Sequence, residues 1–133
     1  MAAGHELEMA LILDTCFLID LERRRPEPST FLSANASERL CIASITAGEL
    51  ACGFESTELP RFWNRIRHLQ ILDVTPEVAT CYSRIYRQLR NRGQMVGTND
   101  MWIAAIAMAN HLPVVTKNVE EFTRVTGLLV IAY

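Results

Sequence analysis

Short apolar runs alternate with helix-like segments along the chain, and this alternation constrains the fold more than any other feature. The apolar runs occupy residues 9–13, 40–43, 71–74, 113–116 and 128–131. Each is short enough to be a single buried strand, and the segments between them carry helical spacing of apolar residues or helix start signals. Strands that alternate with helices within one domain predict an α/β fold, with a parallel sheet and helices on both faces.

Helix start signals follow the second and third runs. Thr46 and Glu49 match the capping-box pattern Thr-x-x-Glu, which predicts that Thr46 caps a helix. Thr75-Pro76 is typical of an N-cap followed by proline at the first helical position. A further helix, residues 101–110, is apolar almost all round, so we expect it to be deeply buried.

The length of 133 residues suits one domain. We assign residues 1–8 to an N-terminal tail and residues 9–133 to the domain. Glu6 and Glu8 stand where a signal peptide would be basic, and no apolar run approaches the roughly 20 residues of a membrane span. We therefore expect a cytoplasmic protein with no membrane association.

The formal net charge of −2 argues against a generic basic nucleic-acid binder, but the charge is unevenly distributed. Residues 61–92 contain seven arginines and only two acidic residues. The planar fork of arginine suits phosphate, and Arg84, Arg87 and Arg90 lie within one predicted helix. Phosphate binding and plain solvation of helix faces explain this cluster about equally well.

Three acidic residues fall where the carboxyl ends of parallel strands would meet. Asp14 follows the first run, Glu49 lies soon after the second, and Asp100 is at the start of the buried helix. Each could simply cap a helix or complement its dipole, which is worth about 1 kcal/mol. If the three converge, carboxylates about 4 Å apart repel by roughly 4 kcal/mol per pair at an effective dielectric of 20. Such a cluster needs a cation or a captured proton.

The donor atoms of this cluster indicate which cation it would bind. Carboxylate oxygens without histidine or cysteine favour Mg²⁺ or Mn²⁺ over zinc. The four cysteines show neither Cys-x-x-Cys nor zinc-ligand spacing. Asp14, Glu49 and Asp100 are therefore the candidate metal ligands, and carboxylate-bound Mg²⁺ beside an arginine-rich surface suggests phosphoryl transfer.

Four motifs, in this order, resemble those of the PIN-domain ribonucleases. They are Ile12-Leu13-Asp14-Thr15, then Ser44-Ile45-Thr46-Ala47-Gly48-Glu49-Leu50, then Gly97-Thr98-Asn99-Asp100, and finally Val115-Thr116-Lys117-Asn118 with Phe122. The length and motif order are most similar to the VapC-type toxins of prokaryotic toxin–antitoxin pairs. The resemblance covers residues 9–133.

The resemblance implies a five-stranded parallel sheet flanked by helices and metal-dependent endonucleolytic cleavage of structured RNA. Asp14, Glu49 and Asp100 match the acidic positions of the family, and the cofactor implied is Mg²⁺ or Mn²⁺. The resemblance also implies a homodimer that is neutralised by a small VapB-type antitoxin. Arg84, Arg87 and Arg90 then become candidates for RNA contact.

Hydroxyl and amide side chains near the acids are the accessory candidates. They are Thr15, Ser44, Thr116 and Asn118. Thr116 and Ser44 could orient carboxylates or water, or satisfy backbone groups at the strand ends. Asn118 stands where the family often has a further acid, which favours a single firmly held ion.

Two other classes of function compete with this interpretation. The first is a catalytically silent PIN-like module that acts by binding a partner or operator DNA, and the acidic triad argues against it. The second is a phosphoacceptor or phosphatase domain of similar build. Asp14-Thr15-Cys16 lacks the second Asp two residues on, and the chain has no glycine-rich phosphate loop, so this class is disfavoured.

Overall fold

A computed structural model describes residues 9–133, in which five parallel strands form one sheet. The strands are β1 (Ala10–Leu13), β2 (Arg39–Ala43), β3 (Gln70–Leu72), β4 (Val114–Thr116) and β5 (Val130–Ala132). Their order across the sheet is β3-β2-β1-β4-β5. The predicted α/β class and the five-stranded parallel sheet are confirmed. The predicted tail, residues 1–8, lies outside the described residues.

Seven α-helices accompany the strands in the described part of the chain. They are α1 (Thr15–Glu22), α2 (Pro26–Ala34), α3 (Ser44–Ala51), α4 (Leu59–Arg65), α5 (Pro76–Arg92), α6 (Thr98–Ala109) and α7 (Val119–Thr123). A short 3₁₀ helix, Ser56–Glu58, precedes α4.

Side chains that alternate along the central strands belong to two separate hydrophobic cores. Ile12 packs with α5, α6 and α7 on one face of the sheet, whereas Leu11 and Leu13 pack with Phe17 of α1 on the other. Helix α6 is buried along most of its length, as its all-round apolar sequence predicts. The result is a three-layer arrangement with helices on both faces.

The start of α3 differs from the sequence prediction. The helix begins at Ser44 with Ala43 as its N-cap, so Thr46 lies inside the helix and does not cap it. Thr46 is fully buried, with its hydroxyl 3.0 Å from that of Thr15. The predicted capping box of Thr46 and Glu49 is therefore wrong. Both side chains contact the Thr15 hydroxyl, in the turn after β1, and not the backbone at the start of α3.

The strand order reverses next to β1, and this reversal creates a crevice. From β1 the chain proceeds through β2 to β3 on one side, then crosses to place β4 and β5 on the other. Ligands of open α/β sheets bind at such a switch point, outside the carboxyl ends of the strands. Asp14 follows β1 and Thr116 ends β4, so both residues lie at this crevice.

No helix within residues 9–133 is long and apolar enough to cross a membrane.

Candidate active site

Asp14 is a buried carboxylate held by neutral hydrogen-bond donors. It is the N-cap of α1, where Oδ1 accepts a hydrogen bond from the backbone N–H of Thr15 at 2.8 Å. Oδ2 accepts from the Thr116 hydroxyl at 2.8 Å and from the Cys16 thiol at 3.1 Å. The side chain is therefore oriented by three donors while only 2% of the residue is exposed.

Glu49 is exposed on α3 and is fixed from two directions. Its Oε1 accepts a hydrogen bond from the Thr15 hydroxyl at 2.7 Å, and its Oε2 accepts from the Asn99 side-chain amide at 3.1 Å. Thr15 begins α1 and Asn99 lies in the first turn of α6. Glu49 thus connects the turns that follow Asp14 and precede Asp100.

Asp100 lies in the first turn of α6 and is half-buried. Burial raises its pKa from 3.8 to about 7, and the charge of Asp14, a hydrogen bond with Glu121 and the charges of Glu121 and Glu49 contribute in the same direction. The fold therefore brings the predicted acids Asp14, Glu49 and Asp100 into one interacting cluster. Near neutral pH, Asp100 carries a proton for a substantial fraction of the time.

Glu121 is a fourth carboxylate of this cluster, and the sequence analysis missed it. It lies half-buried on α7 and hydrogen-bonds Asp100. The neighbouring Glu120 faces solvent and lies 3.5 Å from Arg124. Two consecutive glutamates soon after the strand-four motif were the available signal, but only the fold decides which of them turns toward Asp100.

The accessory candidates have different surroundings. Thr116 is fully buried, donates to Asp14, and accepts a hydrogen bond from the Asn118 backbone N–H at 2.9 Å. The exposed Asn118 precedes α7, and its side chain makes no capping hydrogen bond there. Ser44 opens α3, and no hydrogen bond among the described residues joins its hydroxyl to the acids. Thr15 and Thr116 therefore touch the cluster, whereas Ser44 does not.

The three predicted RNA-contact arginines, Arg84, Arg87 and Arg90, are exposed on α5. Arg90 lies over the Tyr86 ring, 5.4 Å from its centroid. In the part of the chain that the structure describes, no ion pair connects any of the three to the carboxylates. Their guanidinium groups are therefore exposed and not engaged by the carboxylates of the candidate site.

The four carboxylates, Asp14, Glu49, Asp100 and Glu121, match the donor preference of Mg²⁺ or Mn²⁺. Within residues 9–133, no basic side chain forms an ion pair with any of them, so only the proton on Asp100 offsets their charge. As placed, however, no three acidic, histidine or cysteine side chains among the described residues are close enough to hold an ion. An ion bound by three of these carboxylates would need them closer together than they lie here.

This architecture, with acids at the switch point of a five-stranded parallel sheet, defines the class of the protein. The chain matches the PIN domain family over residues 11–128. It therefore belongs to the PIN domain family.

Individual relatives narrow the class to the VapC group. The chain is 36% identical over 123 residues to Ribonuclease VapC2 of Haemophilus influenzae, covering 88% of this chain and 92% of that protein. It is 32% identical over 125 residues to the tRNA(fMet)-specific endonuclease VapC of Salmonella typhimurium, covering 90% and 95%. The structure of DNA-bound VapBC from Salmonella typhimurium superposes with a TM-score of 0.78 at 30% identity, covering 95% of this chain and 98% of that one. Within the PIN domain family, the chain thus groups with the VapC ribonucleases.

Proposed function

We propose that this protein is a divalent-metal-dependent endoribonuclease and the toxin of a toxin–antitoxin pair. The observation that carries the proposal is the carboxylate cluster at the switch point, whose charge no basic side chain of the described residues balances. Like charges clustered around a buried carboxylate such as Asp14 are costly unless a cation or a proton compensates them. The PIN domain match and the names of the relatives support RNA cleavage as the use of this cluster.

We assign the proposed metal to Asp14 and Asp100, with Glu49 binding directly or through water. A bound Mg²⁺ or Mn²⁺ would polarise the phosphodiester and lower the pKa of an attacking water. Thr116 and Thr15 hold the Asp14 carboxylate in one orientation, so little reorganisation is needed there. Thr15 and Asn99 hold Glu49 in the same way.

Asp100 and Glu121 have a separate role in this proposal, which concerns protons. The raised pKa of Asp100, to which the neighbouring Glu121 contributes, leaves a proton on Asp100 for part of the time near neutral pH. Ligand carboxylates must be deprotonated, so this proton leaves when the cluster binds a cation. Metal affinity should therefore rise with pH up to about pH 7.

We propose structured RNA as the substrate and the cytoplasm as the place of action. One relative is named a tRNA(fMet)-specific endonuclease, which supports a transfer RNA among the candidate substrates. Arg84, Arg87 and Arg90 are the proposed contacts to RNA phosphates, because all three are exposed and form no ion pair among the described residues.

We further propose a VapB-type antitoxin as the inhibitory partner and a homodimer as the toxin's own assembly. The similar Salmonella typhimurium structure is a DNA-bound VapBC complex, which supports such a partner. The homodimer rests on the similarity to the VapC group, and the exposed apolar side chains Trp63, Met95 and Leu129 are candidates for its interface. A monomer in sedimentation at micromolar concentration would contradict the dimer.

The test of the function is RNA cleavage by the purified chain with Mn²⁺ or Mg²⁺, compared with excess chelator and with Asp14→Asn. We expect metal-dependent cleavage by the wild type alone. The Asn variant can still accept a hydrogen bond from the Thr15 N–H, so loss of activity would reflect the carboxylate and not the helix cap. Calorimetric Mn²⁺ binding without cleavage of any RNA class would favour the silent binding module instead.

A further inference from the structure

A second charged cluster lies on the other side of the strand ends from Asp100 and Glu121. Asp20 of α1 is only 4% exposed, and its Oδ2 accepts hydrogen bonds from Lys117 Nζ at 2.5 Å and from the Tyr133 hydroxyl at 2.9 Å. Arg25 Nε approaches Oδ1 only to 3.7 Å. The Lys117 bond, with smaller contributions from the other neighbours, lowers the pKa of Asp20. Lys117 is the only lysine in the sequence.

The position of Lys117 in the chain links this pair to the carboxylate cluster. Lys117 stands between Thr116, which donates to Asp14, and Asn118, whose N–H donates back to Thr116. Its side chain reaches α1 on one face of the sheet. The backbone continues into α7, whose Phe122 packs in the core of the opposite face.

The ion pair thereby joins the two elements that carry opposite sides of the candidate metal site. Asp14 is the N-cap of α1, the helix that carries Asp20. Glu121 lies on α7, the helix that begins directly after the turn at residues 117 and 118. A shift of this turn relative to α1 would change the separation between Asp14 and Glu121, and it would move the Thr116 hydroxyl away from Asp14.

We propose that Asp20 and Lys117 are positioning residues for metal-dependent cleavage, and that their ion pair fixes the turn after β4 relative to α1. This inference rests on the proposed function. Neither residue touches the candidate metal ligands through its side chain in the described contacts. Their effect passes through Thr116, Asn118 and the start of α7. Outer groups that orient metal ligands typically change metal affinity by about 10–100-fold when removed.

The test compares Asp20→Asn and Lys117→Met with the wild type in three measurements. Amide hydrogen exchange without metal should become about tenfold faster at Asn118 and Phe122, because local opening of the turn becomes easier. Their N–H groups donate to the Thr116 hydroxyl and to the Asn118 carbonyl. Calorimetric Mn²⁺ affinity should fall by about tenfold, and kcat should fall while KM for RNA stays the same in Asp20→Asn. Lys117→Arg should restore most of the affinity, because it keeps the cation.

Glu22→Gln is the matched control, because it lies on the same helix and removes the same charge. It breaks the bidentate pair with Arg65 of α4, at 3.2 and 2.6 Å, which does not involve the turn after β4. We expect it to leave Mn²⁺ affinity and exchange at Asn118 unchanged. A lower Tm in Asp20→Asn with unchanged Mn²⁺ affinity would mean a merely structural pair and would overturn the proposal.

Two further outcomes separate this proposal from its alternatives. A raised KM in Lys117→Met, with no effect of Asp20→Asn, would make Lys117 a direct RNA contact and would overturn the positioning role. If the wild type binds no Mn²⁺ and cleaves no RNA, the proposed function fails. Hydrogen exchange in the metal-free protein would then still decide whether the pair fixes the turn.

Discussion

Thr116 donates a hydrogen bond from its hydroxyl to Oδ2 of Asp14 across 2.8 Å, although the two residues lie 102 positions apart. Strands β1 and β4 are parallel neighbours with Leu13 opposite Val115. The residues that follow these two, Asp14 and Thr116, therefore lie side by side at the same edge of the sheet. The contact therefore follows from the sheet register. It places a neutral donor on a buried carboxylate at the centre of the candidate site.

Replacing Thr116 by Val tests this contact, because the shape is kept and the hydroxyl is lost. Asp14 would lose one of its donors, so Mn²⁺ affinity and RNA cleavage should each fall by about 10–100-fold. Stability without metal should fall by about 1–3 kcal/mol, because a buried carboxylate is less well satisfied. Calorimetry and urea unfolding measure both effects. Thr116→Ser keeps the hydroxyl and should stay close to wild type; equal losses in both variants would contradict this role.

The raised pKa of Asp100 predicts a dependence of stability on pH in the metal-free protein. Between pH 3.8 and about 7 the folded chain binds more protons at this residue than the unfolded chain. Its contribution to the free energy of unfolding therefore falls as pH rises through that window. Because solvent screens a half-buried group, we expect the free energy of unfolding to fall by only about 1–2 kcal/mol across this pH window.

Asp100→Asn should remove this pH-dependent contribution to the free energy of unfolding. In the presence of excess chelator, the variant should therefore be more stable than the wild type at pH 8. The same variant should lose metal-dependent cleavage. Urea unfolding at pH 5 and pH 8 with excess chelator provides the measurement, and Asp73→Asn, at an exposed carboxylate, is the control. Identical pH dependence in Asp100→Asn and wild type would show that Asp100 is not the group responsible.

The convergence of the acids could be predicted in part from sequence, because Asp14 directly follows β1 and Glu49 lies soon after β2. Asp100 begins a helix that follows another helix, so its place depends on how α6 packs on the sheet. The partners of Glu49 could not be predicted, since Thr46-x-x-Glu49 also fits a local capping box and only tertiary contact with Thr15 decides against it. Glu121 depends on the rotation of the short helix α7. The pairing of Asp20 with Lys117 joins residues 97 positions apart and leaves no local pattern in the sequence.

The arginines on α5 give a prediction about salt dependence. If Arg84, Arg87 and Arg90 contact RNA phosphates, replacing all three by Gln should raise KM and reduce the slope of log affinity against log salt by about 2. The rate at saturating RNA should change little, because no ion pair of the described residues connects them to the carboxylates. RNA binding measured from 50 to 300 mM salt tests this. An unchanged slope would identify the arginines as a solvated helix face.

Asn118 gives the last prediction, which concerns the number of metal ions. Its exposed side chain makes no capping bond to α7, and its backbone N–H donates to Thr116, which itself donates to Asp14. We therefore expect a carboxylate at position 118 to add negative charge close to the acidic cluster. Asn118→Asp should tighten Mn²⁺ binding and lower the metal concentration for half-maximal cleavage. Without metal it should cost stability through added repulsion, partly offset by the favourable position of Asp at a helix N-terminus. Calorimetric titration should give one firmly held ion in the wild type.

Asn64→Asp is the control, because it makes the same charge change at an exposed site, and it should alter neither Mn²⁺ affinity nor stability without metal. Unchanged Mn²⁺ affinity in Asn118→Asp would place Asn118 outside the metal site.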